Sequence, residues 1–127
     1  MSLNIEQIAE AFCSHRFGET FPYMADEIKW NLIGREELIG REAVINHCNK
    51  SAKFLETVST TLTKPKIYRT ETCVVLEGAA QFKDQENQTS GVASCDVFHF
   101  SDGRLIEIPP YVIDLDSPQV YSRLPLG

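Results

Sequence analysis

The chain reads as two halves with different hydrophobic periods. Ile5, Ile8, Ala9 and Phe12 recur at helical spacing, which predicts a helix over 5–17 with one buried stripe. Asn4 followed by Gln7 is a capping-box pattern at its start, and Gly18 is a natural stop. Phe21–Ala25 reads as a short helical turn with Pro22 tolerated near its start. Ile28-Lys29-Trp30-Asn31-Leu32 alternates apolar and polar. It predicts a strand with Ile28, Trp30 and Leu32 facing inward. Residues 35–40 read as a charged loop, and Gly40 opens a long helix reaching about Val58. Its inner stripe is Val44, His47/Cys48, Ser51, Phe54/Leu55 and Val58.

From residue 60 the period becomes that of strands. Lys66–Arg69 is expected to pair with Cys73–Lys83, where Val74, Leu76, Gly78, Ala80 and Phe82 share a face. Residues 84–89 form a polar hairpin loop. Val92–Phe100 follows, with Ser94, Asp96, Phe98 and Phe100 on one face. Ser101-Asp102-Gly103 is a tight turn, with Gly103 supplying a positive φ. The last strand begins at Leu105–Ile108, and Pro109-Pro110 must sit at a bulge or edge because neither donates to a ladder. The apolar pattern resumes at Tyr111–Ile113, and 116–127 reads as a surface tail. Helices first and antiparallel strands after predict an α+β domain, with helices on one face of a curved sheet and a cleft between the layers.

Composition narrows the class. The 127 residues suit one domain, with enough bulk for a core without disulfides. The formal charge is -6, with 12 basic and 18 acidic residues, and no basic patch interrupts the sequence. That balance argues against a nucleic-acid partner. No apolar run approaches a membrane span, and Met1–Glu6 lacks the charged and apolar regions of a secretory signal. Cys13, Cys48, Cys73 and Cys95 stand apart, without zinc-site spacing. Free thiols in a cytoplasmic protein are the expectation, with no metal and no cofactor.

Three stretches carry a resemblance. Met24-Ala25-Asp26-Glu27-Ile28-Lys29-Trp30, Gly40-Arg41-Glu42-Ala43-Val44 and Asp96–Leu105, with Tyr111 beyond, resemble the nuclear transport factor 2-like superfamily. The nearest style is that of SnoaL-like polyketide cyclases and ketosteroid isomerase-like proteins. The likeness covers about residues 5–115 as one domain. It implies a cone-shaped α+β fold, three N-terminal helices on a strongly curved antiparallel sheet around a mostly apolar pocket, and a homodimer formed through the outer sheet face. The fold alone does not select among isomerases, cyclases, dehydratases, epoxide hydrolases and carriers.

Asp96 is the sharpest chemical candidate, an acid predicted among aromatics on one strand face. Desolvation there raises a carboxyl pKa, and a neutral acid can donate to a developing oxyanion. By resemblance Asp96 matches the oxyanion-hole acid of ketosteroid isomerases. The alternative is a core polar group bonded to backbone or to Trp30. The rest of that machinery is missing. Asn31-Leu32-Ile33-Gly34 offers no base carboxylate and Ala9–Cys13 no tyrosine. His47, on the inner side of the long helix, is the second candidate, a proton shuttle at neutral pH or a helix histidine bonded to backbone or water. Trp30 is expected as a wall that stacks on a flat ligand or as core, and Phe98 is expected to share that stacking wall. Tyr23 and Tyr111 are expected near the mouth, with Ile108 and Val112 lining it. Asp26 and Glu27 read as a cap and a solvated charge, and His15 and His99 as weaker candidates. His99 shares the outer face with Cys95, Val97, Val75 and Ala79. The function expected is cofactor-free isomerisation, cyclisation or dehydration of a small apolar carbonyl compound. The rival is a small-molecule carrier, and a third reading is a dimeric scaffold with a filled core.

Overall fold

A computed structural model describes residues 2–32 and 36–109, together with the backbone of 111–114. The elements run α1 (Ile5–Cys13), two 3₁₀ turns (Phe17–Glu19 and Phe21–Tyr23), β1 (Met24–Leu32), β2 (Glu36–Ile39), α2 (Arg41–Leu55), β3 (Ser59–Leu62), β4 (Lys66–Arg69), β5 (Cys73–Lys83), β6 (Thr89–Ser101), β7 (Arg104–Ile108) and β8 (Tyr111–Asp114). The strands form one sheet of order β2-β1-β7-β6-β5-β3, with β4 also on β5 and β8 also on β6. The ladders are antiparallel, as expected, except that β1 runs parallel to β7. The sheet is therefore mixed. The α+β architecture is the one the sequence predicts. Of the three expected helices, the middle one is the pair of single 3₁₀ turns.

The predicted capping box closes α1. Asn4 Oδ1 accepts from Gln7 N at 2.8 Å, and Gln7 Oε1 accepts from Asn4 N at 2.9 Å. The helix stops four residues short of 17. Arg16 N donates to Ala11 O at 2.8 Å and His15 N to Phe12 O at 3.1 Å, with His15 at φ 65. This is a Schellman ending with histidine where glycine is usual, and histidine is among the side chains that enter the left-handed region more readily. Chain reversal therefore comes at His15, ahead of Gly18.

β1 begins earlier than its alternation suggested, so Asp26 and Glu27 are exposed residues within the strand. The expected loop over 35–40 contains β2, with Leu38 opposite Trp30. Its glutamates hid the strand; charge is how an edge strand blunts its open side. α2 ends at Leu55, short of Val58. Two hydrogen bonds from the Arg41 guanidinium to Phe21 O (3.2 and 3.0 Å) tie its start to the second 3₁₀ turn.

Side chains from both layers meet in one core that includes Ile8, Phe12, Ile28, Trp30, Val44, Leu76, Phe98 and Ile108. The β5–β6 loop is held by Asp84 Oδ1, which accepts from Glu86 N and Gln88 N at 2.9 Å each. At the next hairpin Ser101 pairs with Arg104, and Asp102 and Gly103 both have positive φ (51 and 78). That two-residue turn matches the twist of its strands. β7 then pairs with His99–Ser101 and β8 with Val92–Cys95, so Asp96 lies at the step between two ladders.

Candidate functional site

Between α1, α2 and the inner face of the sheet lies a cavity of about 540 Å³. Its apolar wall includes Phe12, Phe17, Trp30, Leu76, Phe82 and Ile108, and its polar groups include Cys13, His15, His47, Ser94 and Asp96. The β5–β6 register aligns Leu76 with Asp96 and Gly78 with Ser94, which lays the acid and the hydroxyl on the cavity side, as the period-two reading required. Thr63, just beyond β3, clips its edge: its Oγ1 accepts from Ala79 N at 2.9 Å.

Asp96 does not bond Trp30. Its Oδ2 accepts from the Cys13 thiol at 3.2 Å, a contact made possible by the position of Cys13 in the last turn of α1. Burial pushes the Asp96 carboxyl above the usual carboxylate range, and hydrogen bonds from Cys13 and Ser94 offset part of that rise. Burial first, then the nearby Asp96 charge, drives the Cys13 thiol far above its ordinary range. Cys13 is thus a held thiol donor, unsuited to nucleophilic chemistry.

His47 lines the cavity with Trp30. The two rings meet edge to face at 5.0 Å between centroids and 89° between planes. No described side chain hydrogen-bonds the imidazole. Trp30 also meets Phe12 at 5.1 Å and is 8% exposed, and its buried Nε1 has no hydrogen-bond partner among the described residues. A buried donor without an acceptor costs on the order of 1–3 kcal/mol. Ile108 lines the cavity.

Two expectations need correction. Phe98 is fully buried (0% exposed) in the core, edge-on to Phe12 at 5.6 Å, and is not part of the cavity wall. The strand passes beneath α1 there, and Phe12 covers it. Tyr23 is also off the cavity, because its hydroxyl accepts from Leu3 N at 3.0 Å and pins the chain ahead of α1. For Tyr111 and Val112 the backbone register is described, opposite Cys95 and Ser94; their side chains, and the tail 116–127, lie outside the described residues.

Cavity residues to which the sequence assigns no chemical role include Cys13, Lys50 and Ser94, and His15 stands there as a weaker candidate. Ser94 shares the parity of Asp96, which was the available signal. Lys50 follows His47 by three positions on a helix, so its shared side was also available. Cys13 and His15 depend on where α1 ends, and no periodicity reports that. The His15 ring stacks on Phe82 at 6.5 Å and 23°, and burial lowers its pKa. Among the described residues no group of three or more His, Cys, Asp or Glu could hold a metal ion, and no helix is long and apolar enough to cross a membrane.

No family model matches the sequence, and no curated protein matches it. Solved structures do. The chain is similar to an NTF2-like protein of unknown function from Cytophaga hutchinsonii, with 29% identity, TM-score 0.76, and coverage of 85% of this chain and 95% of that one. A second likeness is to an NTF2-like protein from Burkholderia xenovorans, with 18% identity, TM-score 0.70, and coverage of 90% and 92%. A third is to an LEH-like epoxide hydrolase of M. tuberculosis, with 16% identity, TM-score 0.63, and coverage of 86% and 79%.

Proposed function

We propose, for a chain whose fold places it in the nuclear transport factor 2-like superfamily, that the cavity binds a small, largely apolar carbonyl compound and performs acid/base chemistry next to its carbonyl. The observation that carries this reading is a carboxyl on the wall of a largely apolar cavity, held by the Cys13 thiol, with burial raising its pKa. A protonated Asp96 donates to the carbonyl oxygen as negative charge develops there. His47, on the same cavity wall, takes the α-proton and becomes imidazolium, then returns the proton at another atom of the substrate. Isomerisation, cyclisation and dehydration all contain that step. Trp30 supplies a flat wall for an unsaturated ring.

The test uses solvent exchange, because removal of an α-proton precedes every one of those outcomes. A panel of cyclic enones and β-ketoesters is incubated with the protein in deuterated buffer and followed by NMR. The expected result is protein-dependent α-deuteration, reduced about a hundredfold or more in Asp96→Asn and in His47→Gln. Binding without exchange would overturn the catalytic role and leave a carrier. Neither binding nor exchange would overturn the pocket reading itself.

One observation favours the carrier as a second reading: no described side chain hydrogen-bonds the His47 ring, whereas catalytic imidazoles are usually held by such a partner. The outer sheet face belongs to this proposal too. Tyr68, 54% exposed, aligns with half-buried Val75 and Val97 across β4, β5 and β6. We infer that a second copy of the chain covers that row.

A further inference from the structure

Among the described residues the cavity lining contains a single fixed cation, Lys50. It is exposed and has no ion-pair partner among the described residues. The helix itself offers none. Its neighbours at three and four positions are Asn46, His47, Lys53 and Phe54, with no carboxylate in reach along α2. Two of those neighbours, His47 and Phe54, also line the cavity, so the lysine stands on the cavity side of the helix rather than on a solvated back face.

Depth along α2 can be read from its contacts. His47 touches Trp30, which is 8% exposed, while Phe54 is 58% exposed and Leu62, also in the lining, is 42% exposed. The stripe from His47 to Phe54 therefore runs from the buried end of the cavity to its mouth, roughly 10 Å at 1.5 Å per residue. Lys50 stands one turn above the imidazole, where apolar wall gives way to water. The acid of the cavity, Asp96, is tied to Cys13 on α1 and does not neutralise the lysine by a salt bridge.

We propose that the cavity's ligand is an amphipathic carboxylate, its apolar body against Trp30 and its carboxylate paired with the Lys50 ammonium at the mouth. A carboxylate fits this site better than a neutral molecule for two reasons. The ammonium is already on the wall, and no described carboxylate pairs with it. The protein's overall charge of -6 repels anions in general, so a local cation is the device that would admit one. This inference rests on the pocket reading above and refines its ligand class.

A matched pair of probes tests it: hydrocinnamate and its neutral amide, equal in shape and different in charge. Affinities are measured by titration calorimetry, with Trp30, the chain's one tryptophan, reporting occupancy through its emission. The expected result is that wild type binds the acid about three- to fivefold more tightly than the amide at low salt, the range of an exposed ion pair. High salt should shrink that ratio. Lys50→Gln should bring the acid-to-amide ratio to one or below. Amide binding with no preference for the acid, or a preference that survives Lys50→Gln, would overturn the carboxylate assignment and leave the pocket standing. Failure of both probes to bind wild type or alter Trp30 emission would overturn the assignment and the pocket reading together.

Discussion

At Asp96 the burial that costs stability is also the ground of the role proposed for it. Its folded-state pKa is raised, chiefly by burial, so the folded chain holds that proton more tightly than the unfolded chain does. Between about 3.9, the ordinary aspartate value, and the raised folded value, the native state binds more protons. This carboxyl's contribution to stability therefore falls as pH rises through that window. Asp96→Asn should flatten this part of the pH–stability curve and leave the protein at least as stable as wild type at neutral pH. Urea titrations at a series of pH values check it; a variant less stable than wild type at neutral pH would show that the carboxylate is a net structural asset. The Cys13 thiol works in the other direction by bonding the carboxylate. Cys13→Ala should raise the Asp96 midpoint further, and Cys13→Ser should restore it, as read by carboxyl carbon NMR. Unchanged midpoints would remove the thiol from the account.

Elements decide which residues reach the cavity. α1 matters because its last turn delivers Cys13 and its Schellman ending turns His15 over Phe82. Its start is equally specific, and Asn4→Ala should destabilise the protein by about 1 kcal/mol, measured as a lower urea midpoint, while Asn4→Asp should not. Much of this level was legible in the sequence. The alternation over Cys73–Lys83 gives β5 its bounds, Gly103 marks the β6–β7 turn, and the parity of β6 sets Asp96 and Ser94 on one face. What escaped notice was short or disguised. β2 is four residues, two of them glutamates, and β3 is exposed throughout, so neither shows alternation. The end of α1 is set by a left-handed histidine that no pattern announces. Phe98 has the parity of Asp96, but depth along a strand is decided by what crosses above it, here Phe12, and periodicity reports only the face.

At the scale of the whole molecule, the two sheet faces have different tasks. The inner face is shared between core and cavity, while the outer face carries the row of Tyr68, Val75 and Val97. Covering that row with a second copy would leave both cavities open, since α2 and Leu62 border the opposite side of the sheet. Tyr68→Glu should therefore shift a dimer toward monomer in sedimentation velocity runs without altering ligand binding. A wild-type protein that sediments as a monomer would count against the pairing.

The stretch Gly78-Ala79-Ala80 lines the cavity from the middle of β5 and contains no large side chain. A Cβ added at Gly78 would find Thr63 Oγ1 at 3.5 Å and Pro65 at 3.9 Å, ordinary contact distances. The position is not reserved for glycine by its backbone. Room inside this protein is thus adjustable one methyl group at a time, by changes that touch neither the acid on β6 nor the imidazole on α2. A lineage carrying this scaffold could resize the cavity in small steps while the polar groups on its wall stayed as they are.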